Sequence, residues 1–383
     1  MADPSIIYGE TSGVLSGHAR GEDTQLLGPY PDGSTVVGDA YALLGHAVGG
    51  NDTVDVINGT AIGNAFTIAD DARGGDNIIN VDPIDGESAW AYGDAETISG
   101  HGSGGNNTIT GAVSFSNTLW LFGDAQLLTD HATGGDNTIT ATAYSHSAAS
   151  VFGDAEIMSG FAKGGNNVID AAGTFVVLYG DAQSMSDHAQ GGGNILTGST
   201  AVGGLQMYGD AYTISGNVQC GNNALTGSGG LGAQQMYGDG YTISGTVQCG
   251  DNTLRNVSID TSTPTFMYGD AYSLEGHAHA GDNVLISGPA DDWMWGNAAI
   301  IGPQVIRGDN TFVFSPPNGH DQIMDFQPNK DHIELQGYSF SGYGDLATHF
   351  QDTPQGTLIS FDANDSILVV GVHQLDPGDF LIG

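Results

Sequence analysis

The chain has 383 residues, enough for one large domain or two ordinary ones, and 62 of them are glycine against 12 proline. Acidic residues number 44 and basic residues 6, a net charge of −38, while hydrophobic residues make up 39 %. That hydrophobic share excludes a disordered chain, and the charge excludes nucleic acid and anionic membrane as partners, because both require basic patches.

Self-repulsion at this charge calls for counter-cations, and Ca2+, which takes oxygen ligands, is the expected cofactor. The N-terminal run Met1-Ala2-Asp3-Pro4-Ser5 has neither the basic nor the apolar stretch of a Sec signal peptide. No window reaches the ~18 apolar residues of a membrane-spanning helix, so no membrane insertion is expected.

From Tyr8 onward the sequence repeats. Glycines followed in most copies by Asp-Ala stand at Gly9, Gly38, Gly63, Gly93, Gly123, Gly153, Gly180, Gly209, Gly238, Gly269 and Gly296, at intervals of 25 to 31 residues. A period in this range predicts a solenoid. Each unit reads as three short strands separated by Gly/Asp/Asn turns. The first strand ends at the aromatic before the glycine. The second centres five residues after it, on Leu43, Ile98, Leu128, Met158, Met185, Ile214, Ile243 and Leu274. The third centres on Val54, Ile109, Ile139, Ile169, Leu225, Leu254 and Leu285. These aliphatic columns are expected to face inward, with Thr, Ser, Asp and Gln neighbours outward. The predicted fold is all-β: a parallel β-helix, with a two-sheet β-roll as the alternative, of about eleven rungs of ~29 residues, spanning residues 1–315 and followed by a C-terminal cap over 316–383.

Four sets of residues recur in one register. Asp39, Asp94, Asp124, Asp154, Asp181, Asp210, Asp239 and Asp270 follow the anchor glycine. Stacked carboxylates repel unless turn amides or cations neutralise them, so this column is read either as turn caps or as cation ligands. His18, His46, His101, His131, His188 and His277 form a second column, broken by Asp71, Phe161, Asn217 and Thr246. It suits a stacked turn position, or a metal site at His101 and His131. Cys220 and Cys249 share a third register, close enough for a disulfide or simply two small core residues.

The fourth set is aromatic: Tyr92, Phe122, Tyr208, Tyr237, Tyr268 and Trp295 before the glycine, and Trp90, Trp120 and Trp293 two residues earlier. Between them lie Ala91, Leu121, Met207, Met236 and Met294, a more natural interior than Gln206 and Gln235. An exposed aromatic stripe, a surface for sugar rings or protein partners, is therefore expected.

The last stretch reads Arg307-Gly308-Asp309-Asn310-Thr311-Phe312-Val313-Phe314, then Gly319-His320-Asp321-Gln322-Ile323-Met324-Asp325-Phe326, then Asp331-His332-Ile333-Glu334-Leu335, and closes on Asp379-Phe380-Leu381-Ile382. It resembles the C-terminal part of RTX proteins, calcium-binding proteins exported by type I secretion. The resemblance implies an extracellular location, an uncleaved C-terminal secretion signal within 316–383, and Ca2+ ligation that would include Asp309, Asp321, Asp325 and Asp331. The body departs from that family, because its tandem Gly-rich nonapeptide is absent. No His-Glu-x-x-His occurs and no Gly-x-Ser-x-Gly has partners. The functional expectation is a secreted calcium-binding solenoid with a structural, surface or adhesive role, self-associating or holding polysaccharide. The alternative is a β-helix enzyme acting on a carbohydrate, an analogy of architecture alone.

Overall fold

The computed structural model describes residues 5–83, 87–114, 116–259 and 263–382; the expectation made on Met1–Pro4 lies outside them. The chain winds as a parallel β-solenoid of about 11 turns spaced ~29 residues, 49 % strand and 3 % helix. One rung consists of Ala89–Tyr92, Ala95–Ile98 and Thr108–Val113. Each strand pairs in parallel with its counterpart a rung away: Trp90 with Trp120, Ile98 with Leu128, Ile109 with Ile139. Differences in rung length fall chiefly between the third strand and the next first strand, which keeps these registers, so each sequence column becomes a column in space.

The second strands form an 11-stranded sheet from Val14–Leu15 to Ala298–Ile301. The first and third strands share one larger sheet, because Thr138–Phe152 and Val168–Tyr179 run unbroken from one face to the next. A fourth corner is closed by single parallel bridges, from Arg20–Val48 to His279–Ile306.

Both aliphatic columns point inward, as alternation demands. Ile109, Ile139, Leu225 and Leu254 pack against Ala91, Leu121, Met207 and Met236 in one core. Ile98, Leu128, Met158 and Ile243 pack in a second, with the alanines of the bridge corner such as Ala132 and Ala162. The Asp column and a column of asparagines are buried as well and form a polar spine of their own.

The second sheet ends at Ile301, but the other two ladders continue into the C-terminal segment. Asp292–Trp295 pairs with His320–Ile323, and that with Ser366–Val370. Thr311–Phe314 pairs with His332–Leu335, and that with Phe380–Ile382. Antiparallel strands Phe350–Thr353 and Gly356–Ser360 and a short helix, Tyr343–Leu346, finish this end. Phe312, Phe326, Ile333, Ile367 and Val369 extend the first core without a break.

Candidate functional site

The aromatic column needs a correction. Its phase is as expected: Ala91, Leu121, Met207 and Met236 are inside, and the aromatics lie outside the tube. Yet Tyr92, Phe122, Tyr208, Tyr237 and Tyr268 are only 1–8 % exposed. Their rings pack on one another and against the partly buried rings of Trp90, Trp120, Tyr241 and Tyr272. Eight rings stack continuously from Tyr92 to Trp295, at centroid spacings of 4.5 to 5.2 Å. A shorter stack, Tyr212, Tyr241 and Tyr272, flanks them edge-on. Burial pushes the Tyr92 and Tyr268 hydroxyls up to about 12, so these phenols stay protonated and are poor bases.

The half-buried rings are Trp90, Trp120, Trp293 and Trp295. Trp90 and Trp120 stack at 4.8 Å, nearly parallel. The next residues in that register are Ser150 and then Val177. Serine is too small to continue the stack, so the far face of the Trp120 indole borders a slot of about 180 Å³. Phe122 and Phe152 line it, with Glu156 and Gln183 from the second strands and Gln126 from just before one. Gln126 Nε2 donates to Glu156 Oε2 at 2.9 Å, which orients both groups. One rung further down, burial raises the Glu96 carboxyl above its usual range. An aromatic face beside fixed amide and carboxylate groups suits a polyhydroxylated ring. The trio Gln126, Glu156 and Gln183 escaped the sequence reading, because polar residues on an outward strand face look like ordinary solvated surface.

The acidic column lies inside the tube. Asp39, Asp94, Asp124, Asp154, Asp181, Asp210, Asp239 and Asp270 are fully buried. Each accepts the backbone N–H of a turn glycine 11 residues on, as Asp124 Oδ1 does from Gly135 at 2.8 Å. Each except Asp39 and Asp270 also accepts Nδ2 of an asparagine 13 residues on, as Asp124 Oδ2 does from Asn137 at 2.9 Å. Asp39 and Asp270 take theirs from Asn64 and Asn297 of the next rung, at 2.8 and 3.0 Å. The same Asn137 donates to the carbonyls of Gly135 and Gly153, and its Oδ1 accepts Asn107 N. One asparagine thereby ties three rungs. The sequence reading noticed these asparagines only as turn residues; their fixed distance from each Asp was the usable signal.

This arrangement is that of turn caps, the first of the two readings. Burial holds the column far above the ordinary carboxylate range: about 7 for Asp39, Asp94 and Asp270 and about 6 for Asp154 and Asp210. Asp124, Asp181 and Asp239 lie higher still, through burial and the charges of their neighbours.

The C-terminal candidates are likewise paired with N–H groups. Asp325 accepts from Gly296, Asn297 and Arg307, Asp331 from Asn310 and Gln327, and Asp321 from Asp292 and Asn318. Asp309 pairs with Lys330 at 2.9 Å. The histidines lie on the outside, stacked at 5.1 Å (His18 and His46) and 5.0 Å (His101 and His131), with Phe161 continuing the stack to His188. Both cysteines are free thiols in the interior. Among the described residues, the groups of three that could hold a metal ion are Asp210, Cys220 and Asp239, and Asp239, Cys249 and Asp270.

No protein-family model matches the chain, and no curated protein matches it in sequence.

Proposed function

We propose that the protein is a secreted, calcium-binding β-solenoid with a structural or adhesive role, holding a polysaccharide through the slot beside Trp120. The observation that carries this reading is the slot that Trp90 and Trp120 line together with Gln126, Glu156 and Gln183. At about 180 Å³ the slot is smaller than a usual drug-sized pocket, so it takes one sugar ring while the rest of the polymer lies along the groove. The RTX-like C-terminus and the charge of −38 support export and Ca2+ screening of the carboxylate surface. The Ca2+ ligands in this reading are surface carboxylates, since N–H donors fill the turns around the buried ones.

A glycan panel, run with Ca2+ and with chelator, tests it. Ser150→Trp extends a stack that already holds two tryptophans, so the rod should fold while the slot fills. Binding by the parent and its loss in Ser150→Trp and Trp120→Ala are expected. Binding that survives both changes removes the slot from the account. Release of shortened or unsaturated sugars in the same assay would favour the second reading, a carbohydrate enzyme, for which Glu156 and the half-buried Glu96 are the acid and base candidates.

A further inference from the structure

Where Cys220 and Cys249 stand, the preceding rungs carry glycine, among them Gly104, Gly134, Gly164 and Gly191, and the two that follow carry Ala280 and Arg307. The reason is steric. A Cβ at Gly104 would lie 1.9 Å from Asp124 Oδ1, and one at Gly191 would lie 2.1 Å from Asp210 Oδ1. A side chain in this register is therefore aimed at the carboxylate of the following rung. Cys220 points at Asp239 and Cys249 at Asp270.

The spine is rearranged there. In the rungs of Asp124, Asp154, Asp181 and Asp210, one carboxylate oxygen takes the glycine N–H and the other takes the asparagine amide. In Asp239 a single oxygen, Oδ1, takes both Gly250 N and Asn252 Nδ2. Its Oδ2 is buried and has no hydrogen-bond partner. Asp94 likewise takes both donors on one oxygen and leaves Oδ1 bare, but the residue facing that oxygen is Gly74. Of these two acids, only Asp239 belongs to a cluster with sulfur among the described residues. One ligand atom each from Asp210, Cys220 and Asp239 lie within 4.8 Å of one another, and so do those from Asp239, Cys249 and Asp270. Asp239 belongs to both groups.

We propose that Cys220, Cys249 and Asp239, completed by Asp210 or Asp270, form a buried site for one thiophilic divalent cation of the Zn2+ class. Two sulfurs and two oxygens are a closed, four-coordinate set of the structural kind, with no position left for a substrate. Sulfur excludes Ca2+, which prefers oxygen alone. Binding displaces the protons of both thiols and of Asp239, so it draws the two thiolates and the free oxygen onto one centre and relieves the crowding of acids. The site lies inside the rod, so the ion enters as the chain folds.

The full chain, refolded with Zn2+ or Co2+ under reducing conditions and then desalted, is the material for the test. One equivalent of metal per chain is expected by mass spectrometry of the elements, with a thiolate-to-cobalt charge-transfer band in the Co2+ form. Cys220→Gly and Cys249→Gly place the residue of the earlier rungs in this register, and Asp239→Asn places the residue that Asn64 and Asn297 provide in theirs. All three should fold with the same circular dichroism, lose the band and hold metal at least 100-fold more weakly. Parent protein that retains no metal overturns the proposal. So does metal retained undiminished by the variants, or thiols that prove to be joined as a disulfide when the unreduced protein is denatured and titrated.

Discussion

Asp124 and Asn137 show how a buried carboxyl is made tolerable. The carboxyl lies between two neighbouring acids, yet two N–H donors reach it and the chain that carries them is fixed by the next rung. Asn137→Leu would leave Asp124 Oδ2, the Gly153 carbonyl and Asn107 N without partners, each worth about 1–3 kcal/mol when buried. A loss of roughly 3–5 kcal/mol in urea unfolding is expected, the range of a disrupted buried network. Asp124→Asn should behave oppositely. Asn64, in the same column, accepts Gly75 N and Asn77 Nδ2 on Oδ1 and donates from Nδ2 to Asp39. An amide at 124 can accept in the same way and donate to Asp94 Oδ1, which is bare. At pH 8 this variant should unfold at the same urea concentration as the parent or higher, with a shallower dependence on pH. A large loss at pH 8 would mean that the charge itself is required there.

At the scale of the element, the corner ladder and the spine set stability in different ways. Tyr208 and Tyr237 are among the largest fully buried side chains, each with a ring on both faces. Tyr237→Ala should cost about 3–5 kcal/mol, as for other large aromatic truncations, and Tyr237→Phe much less, since the stack survives. The spine makes the ladder sensitive to pH. Its carboxyls sit near 3.8 when unfolded and rise to about 7 for Asp94 and Asp270 and about 6 for Asp154 and Asp210 when folded. A raised folded value means that the unfolded chain releases its proton first. The stability from these groups is therefore complete below about pH 3.8, falls as pH rises, and is lost above about 7. Denaturant midpoints at pH 5 should exceed those at pH 8 in the absence of divalent cations. Equal midpoints would show that the spine is not protonated.

Across the whole molecule the charge of −38 acts in the same direction, because surface repulsion also grows as carboxyls ionise. Millimolar Ca2+ should offset both effects, raising the unfolding midpoint at pH 8 and steepening folding in a circular dichroism titration. Indifference to Ca2+ and to chelator would remove calcium from the account. Each rung touches chiefly its neighbours, so damage at one rung opens the rod locally before it melts globally. Hydrogen exchange on Tyr237→Ala should show protection lost first around residues 205–270. If a second copy rather than a polysaccharide is the partner, light scattering in Ca2+ will show particles larger than one chain.

Much of this was legible in the sequence because a solenoid converts period into space. From Gly38 to Gly269 each anchor glycine stands 16 residues before its third-strand aliphatic, as Gly93 does before Ile109 and Gly180 before Leu196, so rung number, strand order and inward columns followed from this repeated spacing. The side of the strand on which Tyr92 and Tyr208 lie followed from alternation with Ala91 and Met207. Their burial did not, because it depends on rings of other rungs and of the second strands, such as Tyr212 and Tyr241, which no local pattern brings together. The choice between capping and cation binding at Asp94 and Asp124 likewise waited on where Asn107 and Asn137 return after 13 residues. The slot at Ser150 and the turned carboxylate of Asp239 are differences between neighbouring rungs. Such differences carry meaning only once the rungs are stacked and the space left by one side chain can be seen against its neighbours above and below.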